Sequence, residues 1–266
     1  IIVADGNNYP DALAGSYLAK VKKAPLILVD RSVASEKMIG EYIEKNLSDE
    51  GTVYLLGGSD VVTERFEKSL KGIDVKRLAG DTRYETNLEI LNEAKASKED
   101  LLACTGEGFA DSLSASAVGK PILLVDNRGL TKAQKTYLDR ANVQDIYLIG
   151  GADVVSDKVG KELKSYDKDS KTERIAGDNR YKTSVAVAKA FFPDKCDTAV
   201  LAYGMKFPDG LAGGPLAISM GSPLLLVEDT AYADAKDYSQ KTGINKLVVL
   251  GDTGVISDRT ARAFFQ

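Results

Sequence analysis

The chain has 266 residues, of which 44% are hydrophobic and 28% charged, with a formal net charge of −4. This is an ordinary globular mixture, and its overall field has the wrong sign to draw nucleic acid or other acidic polymers, so any anion binding must be local. Histidine is absent, which removes imidazole bases, Ser-His and Cys-His nucleophile pairs, and imidazole metal ligands.

No apolar run approaches the ~20 residues of a membrane span. No secretory leader opens the chain, which starts at Ile1 inside an apolar run; the expectation is a processed or excised piece of a longer protein. Cys104 and Cys196 stand at non-equivalent places in the repeats described next, so they support neither a disulfide framework nor a metal site. Tryptophan is missing too, which argues against a lectin groove built on sugar-stacking indoles.

Read from the N-terminus, one order of segments occurs three times. Asn8 opens N-Y-P-D-A-L-A-G, Ala24 opens A-P-L-I-L-V-D and Leu55 opens L-L-G-G-S-D-V-V. The second round is G-F-A-D-S-L-S-A from Gly108, K-P-I-L-L-V-D from Lys120 and L-I-G-G-A-D-V-V from Leu148. The third is K-F-P-D-G-L-A-G from Lys206, S-P-L-L-L-V-E from Ser222 and V-L-G-D-T-G-V-I from Val249. The repeated aspartates fall at positions 11, 111 and 209, 100 and 98 residues apart. So long a period denotes tandem copies of a whole domain rather than a solenoid of small units, and multiplying a domain multiplies a binding surface. We set the copies at residues 1–75, 76–172 and 173–266. They join without Gly/Ser-rich spacers, and the charged stretch 164–171 reads as a surface turn, so modules packed on one another are expected.

The middle copy shows the elements most fully. Arg77–Ala79 is a short strand signal closed by Gly80-Asp81, and Tyr84–Ala96 places Leu88, Leu91 and Ala94 on one helical face. Leu101–Thr105 reads as a buried strand, with Cys104 as a small residue inside it. Phe109–Val118 is a short Ala/Ser-rich helix, Pro121–Val125 a second apolar strand and Thr131–Ala141 a polar helix. Ile146–Ile149 is a third strand, turning through Gly150-Gly151 toward a helix capped by Ser156. Strands alternate with helices and are continuously apolar, the pattern of a parallel sheet covered on both faces. The middle and last copies open with R-L-A-G-D-T-R-Y-E-T from Arg77 and R-I-A-G-D-N-R-Y-K-T from Arg174, and the first copy has no such opening. Either residues ahead of Ile1 supply it, or the module is permuted and the unit belongs with the preceding core. We take the first as the expectation.

These segments, R-x-A-G-x-x-R-Y-x-T, [FY]-x-D-x-L, P-[IL]-[IL]-L and G-G-x-x-V-[VI]-S, resemble the cell-wall-binding repeat type 2 family of surface and surface-layer proteins of Gram-positive bacteria. The likeness covers essentially the whole chain and is weakest in the first copy. It implies three tandem Toprim-like or Rossmann-like α/β modules, with parallel sheets sandwiched by helices, packed as a pseudo-trimer within one chain and needing no obligate oligomer. It also implies a secreted, wall-located protein held without covalent attachment by an anionic, teichoic-acid-like secondary wall polymer, with any effector activity in another domain. Nucleic acid, membrane insertion, cofactors and metals are not expected.

Candidate polymer-binding residues follow from the motifs. Arg83-Tyr84 and Arg180-Tyr181 sit at a strand-to-helix turn, where a guanidinium grips phosphate by paired donors beside free helix N–H groups. The structural alternative is an inter-module ion pair or a helix start in which Thr82 and Glu85 form a capping box. Asp11, Asp111 and Asp209 follow a strand and open a helix, which suits the helix dipole, with Pro10 and Pro208 at its first position. The sharper alternative is a metal carboxylate of Toprim type, but no D-x-D with a partner Glu recurs at matching positions. Gly57-Gly58 and Gly150-Gly151 lack the Lys of a phosphate loop and read as tight turns. Pro25, Pro121, Ile122, Leu123, Leu124 and Pro223 belong to buried central strands; the family likeness points to them for polymer binding, and we read them as scaffold. Two other functions compete with anchoring. A metal-dependent phosphotransferase or nuclease would place a divalent ion at the aspartates. A solute-binding protein would close two lobes on a ligand, a geometry that three near-equal copies do not suit.

Overall fold

The computed structural model describes residues 1–168 and 171–266. Residues 169 and 170, part of the charged stretch expected as a surface turn, lie outside the described residues. The first sheet is built from β1 (Ile2–Asp5), β2 (Leu26–Val29), β3 (Thr52–Leu56) and β4 (Asp74–Leu78), with α1 (Pro10–Lys22), α2 (Val33–Asn46) and α3 (Glu64–Ser69) between them. The second holds β5 (Leu101–Thr105), β6 (Ile122–Val125), β7 (Ile146–Ile149) and β8 (Glu173–Ile175). It is preceded by α4 (Arg83–Glu93) and interleaved with α5 (Ser112–Ala115), α6 (Lys132–Ala141) and α7 (Asp157–Lys164). The third holds β9 (Thr198–Tyr203), β10 (Leu224–Val227) and β11 (Lys246–Val249), with α8 (Arg180–Phe191), α9 (Pro208–Met220), α10 (Ala233–Thr242) and α11 (Asp258–Ala263).

All pairings between these strands are parallel, in the orders β2-β1-β3-β4, β6-β5-β7-β8 and β10-β9-β11. Successive residues of the central strands point to opposite faces and enter different clusters: Ile2 and Ala4 go to one, Ile1 and Val3 to another. One continuous cluster joins Leu18 and Leu56 of the first module, Leu91 and Leu148 of the second, and Leu211 and Leu226 of the third. The modules therefore share apolar interior, as the short connections imply.

The opening segment is divided between modules. The strand Asp74–Leu78 pairs with β3, from Thr52↔Asp74 to Leu56↔Leu78, so it completes the sheet before it rather than opening the one after it. Likewise Glu173–Ile175 pairs with β7. Arg77 and Arg174 seal the arrangement: each Nη1 donates at 2.8 Å to the carbonyl of the preceding module's turn glycine, Gly57 or Gly150. The expectation that a unit missing from the first copy comes whole from upstream is thus corrected for its strand half. The physical reason is that β3 and β7 otherwise present unpaired edges. The helix half crosses over: α4 packs against α1 of the first module and β6 of the second, and α8 against α5 and β10. A polar side chain tightens each crossing. Asn87 Nδ2 donates to Ile122 O at 2.8 Å while Leu124 N donates to Asn87 Oδ1 at 2.9 Å, and Leu226 N donates to Ser184 Oγ at 3.1 Å.

Local rules account for the helix ends. Thr82 and Glu85 form the expected capping box; Thr63, Ser156 and Ser257 cap α3, α7 and α11. The helix expected over Phe109–Val118 shortens to Ser112–Ala115. Ten residues separate Asp111 from Pro121, against 14 in the other copies, so about one turn is absent. Ser114 and Ser116 also donate their hydroxyls back to the carbonyls of Asp111 and Leu113, a local competition that weakens helices.

Candidate functional site

The three [FY]-x-D segments meet at one place. Tyr9, Phe109 and Phe207, each two residues before its aspartate, form a closed triangle of rings with centroids 5.8, 5.8 and 5.3 Å apart. One ring from each module on a common pseudo-threefold axis is the packing of a pseudo-trimer, and tilted or edge contacts of this kind contribute ~0.5–1.5 kcal/mol per pair beyond burial.

Arg83 and Arg180 pack against this triangle. The Arg83 guanidinium lies over the Tyr9 ring, 5.9 Å from its centroid, and its Nη1 donates to Tyr9 Oη at 3.2 Å and to Gly106 O. Arg180 repeats this over Phe109 at 5.7 Å, with Nη1 donating to Gly204 O at 2.7 Å. Each arginine therefore joins two modules, sitting on the ring of one and the carbonyl of the next. Among the described residues, Nε and Nη2 of both guanidiniums make no hydrogen bond, and neither arginine has a carboxylate within 4.0 Å. The inter-module ion pair considered from the sequence is absent there; stacking and a neutral carbonyl take its place. Both side chains are half-buried, so each is a cation with one edge satisfied and one edge open.

The following tyrosines fill a different role. Tyr84 lies against Gly106, where an added Cβ would come within 2.6 Å of its ring, and Tyr181 lies against Gly204 in the same way. Tyr84 Oη donates to Glu107 Oε1 at 2.6 Å; burial, then Glu107, pushes its phenol well above the ordinary range. Tyr181 is raised to about 12 by burial, with Glu228 next in effect, although its hydroxyl makes no bond of full geometry. Burial is the dominant cause there.

The aspartates lie where the dipole argument puts them, Asp11 and Asp209 at the second position of α1 and α9. They also face the positive-φ glycine after the third strand of each module. Gly57, Gly150 and Gly251 have φ of +97°, +104° and +101°, and a Cβ at Gly150 or Gly251 would come 2.9 Å from Oδ2 of Asp111 or Asp209. Hence the first glycine persists in all three copies while the second becomes Asp252. Burial pushes the Asp11 carboxyl up to about 6; Arg83 opposes this, while Asp5 and Asp60 add to it. Asp111 is raised by burial, against Thr183 and Arg180. Beside Asp111 a crevice of about 220 Å³ opens at the strand ends, lined by Thr105, Glu107, Asn127 and Asp153 among others. Such a crevice is the usual ligand position in an open parallel sheet, but its acidic wall repels anions. Among the described residues no three Asp, Glu or Cys side chains cluster as a metal site requires.

The strand motifs belong to β2, β6 and β10, which are edge strands and not the central strands expected, because β1, β5 and β9 take the inner places; neighbouring helices still bury most of them. Ile122, Leu123 and Leu124 are fully buried and Pro121 and Pro223 are buried, whereas Pro25 is exposed. Cys104 is buried, its thiol pushed up to about 12 by burial. Among the described residues, no helix is long and apolar enough to cross a membrane. The ring triangle and the Asn87 and Ser184 caps escaped the sequence reading. The aromatic position of [FY]-x-D was visible in each copy, but nothing local shows that three such rings converge.

The chain is 24% identical over 270 residues to the N-acetylmuramoyl-L-alanine amidase LytC of Bacillus subtilis (strain 168), covering 98% of this chain and 52% of the relative. It is 28% identical over 266 residues to the amidase enhancer of the same organism, covering 97% and 35%. The chain thus spans about half or less of the curated relatives it matches. Among solved structures, Cwp8 from Clostridium difficile superposes with a TM-score of 0.88 at 26% identity, over 99% of this chain and 46% of that one. Residues 1–67, 77–160 and 174–261 each match the family described as Cell wall binding domain 2, so the chain belongs to that family of wall-associated, surface-located modules.

Proposed function

We propose that the chain holds a surface protein on the wall by binding an anionic secondary wall polymer without covalent attachment, any catalysis residing in other parts of the full protein. What supports this reading is the pair of half-buried guanidiniums, Arg83 and Arg180, each with an edge free of carboxylates. Forked donors of this kind suit phosphate or carboxylate groups repeated along a glycan. Two such cations on one rigid body give avidity that neither has alone. Tyr84 and Tyr181 brace the junctions. Asp11, Asp111 and Asp209 act as structural and electrostatic neighbours, and Pro25, Pro121, Ile122–Leu124 and Pro223 as scaffold. The modules correspond to residues 1–75, 76–172 and 173–266, apart from the strand exchange described above.

The test is co-sedimentation with bacterial walls before and after hydrofluoric acid extraction, which strips phosphodiester-linked polymers. Binding is expected to fall at least tenfold on stripping and to weaken with salt. The double variant Arg83→Gln, Arg180→Gln is expected to lose binding and to flatten the salt dependence. Full retention on stripped walls would overturn the proposal.

A further inference from the structure

The first two modules treat one buried edge of an arginine differently. α3 and α7 follow the same turn, Gly57-Gly58 matching Gly150-Gly151, and align residue by residue at an offset of 93. Beside them Arg77 and Arg174 hold the same strand position, opposite Leu55 and its equivalent Leu148, and each gives Nη1 to the turn glycine's carbonyl. In the first module the rest of the guanidinium is filled: Nε and Nη2 of Arg77 donate to Glu67 Oε2 at 3.1 and 2.7 Å.

The second module lacks that carboxylate. Gly160 stands where α3 has Glu67, and a crevice of about 260 Å³ opens there, with Gly160, Lys161, Lys164 and Arg174 in its walls. Arg174 turns Nη2 to Asp157 Oδ1 at 2.9 Å instead, and its Nε makes no hydrogen bond among the described residues. The Asp157 side chain is 75% exposed, so this is a surface contact worth little, and the carboxylate is free to swing away. In α3 the equivalent acid, Glu64, pairs with Lys68. Its counterpart Lys161 has no carboxylate within 4.0 Å among the described residues, and neither has Lys164; the neighbouring Glu162 is taken by Lys135. Lysines in the last turn suit the helix dipole, which accounts for their place but not for the missing acid. Three cations thus line the crevice with one carboxylate.

We propose that this crevice binds a doubly charged phosphate group, free or as a monoester, in the place that the Glu67 carboxylate fills in the first module. Phosphate oxygens accept from Nε and Nη2 of Arg174 as Asp157 turns out to solvent, the forked contact that a guanidinium makes with oxyanions. Lys161 and Lys164 balance the remaining charge. A dianion cancels the excess of cations over carboxylate in the crevice, which a single carboxylate does not. The site stands apart from Arg83 and Arg180, which pack on the ring triangle, and it does not rest on the wall-polymer reading.

The experiment titrates the isotope-labelled 266-residue chain with glycerol phosphate and with inorganic phosphate at about pH 7.5, where a phosphate monoester carries close to two charges, at constant ionic strength. The readouts are the Nε–H resonance of Arg174 and the amides of Gly160 and Lys161. A saturable shift is expected at all three. Gly160→Glu, which supplies the first module's carboxylate from within, is expected to abolish it. Glu is the better helix former, although Leu148 Cδ1 has to yield to a Cβ that would come within 2.8 Å, so melting of the variant is measured alongside. The double variant Lys161→Gln, Lys164→Gln lies on exposed positions that leave the fold intact and is expected to weaken binding about tenfold, whereas Asp157→Asn is expected to tighten it. Acetate and dimethyl phosphate, each singly charged, are expected to bind about tenfold more weakly than the monoester. No saturable shift would overturn the proposal, as would binding unchanged in a folded Gly160→Glu chain or in the double lysine variant, or acetate binding as tightly as phosphate. Comparable binding of ester and inorganic phosphate supports a site open to monoesters, and binding of inorganic phosphate alone supports one for the free ion. No wall is present and Arg83 and Arg180 are intact throughout, so the outcome is separate from that of polymer binding.

Discussion

Replacing Asp11 with Asn isolates the cost of keeping a carboxylate inside the first module. The Asp11 carboxyl is raised from its ordinary 3.8 to about 6, with burial the largest cause and Asp5 and Asp60 adding to it against Arg83. A shift of roughly 2 pH units at 1.36 kcal/mol each places the penalty for ionised Asp11 at about 3 kcal/mol. Its sign follows from linkage. Between pH 4 and 6 the folded chain keeps a proton that the unfolded chain has released, so this group's favourable contribution is complete below about 3.8 and is lost as pH rises through about 6. Asp11→Asn removes the ionisation and with it the loss. At pH 8 the variant is expected to be more stable by up to about 3 kcal/mol, or several degrees in Tm for a chain this size; near pH 3.5 the two proteins should melt alike. Thermal and urea unfolding at the two pH values make the measurement. A variant less stable than the parent at pH 8, or a difference unchanged between the two pH values, would refute the reasoning and show that the carboxylate's longer-range attraction to Arg83 outweighs its burial.

Other perturbations probe the junctions and the core. Asn87→Ala leaves Ile122 O and Leu124 N without their caps, and at ~1–3 kcal/mol per unsatisfied buried group it should lower stability by about 2–4 kcal/mol in urea unfolding and speed amide exchange at Leu124. Phe109→Ala removes the ring that contacts both Tyr9 and Phe207 and supports Arg180; a loss of about 3 kcal/mol is expected, with the calorimetric transition expected to be broader than the parent's, or split, as modules uncouple. Leu124→Ala empties a fully buried position and should cost ~2–5 kcal/mol. If the strand is scaffold, wall binding by this variant falls only in proportion to its unfolded fraction, and normal melting with lost binding would show direct contact instead.

Much of this protein is legible without coordinates. Continuous apolar strands alternating with amphipathic helices dictate covered parallel sheets, because a strand buried on both faces has no polar side to show. The 100- and 98-residue spacing dictates three copies, and single residues dictate helix starts, as Thr82 with Glu85 and Ser156 show. These features depend on neighbours within a few residues or on plain recurrence. The tertiary structure alone decides which module owns each element: Arg77–Leu78 reads as the start of a copy but pairs backward, since sheet edges are satisfied by proximity in space rather than order in the chain. It also decides that Tyr9, Phe109 and Phe207, some 100 residues apart, share one axis, and that the free edges of Arg83 and Arg180 lie beside it. Local pattern records what each residue prefers; convergence of distant residues arises only when the three cores pack, and there the candidate site is made.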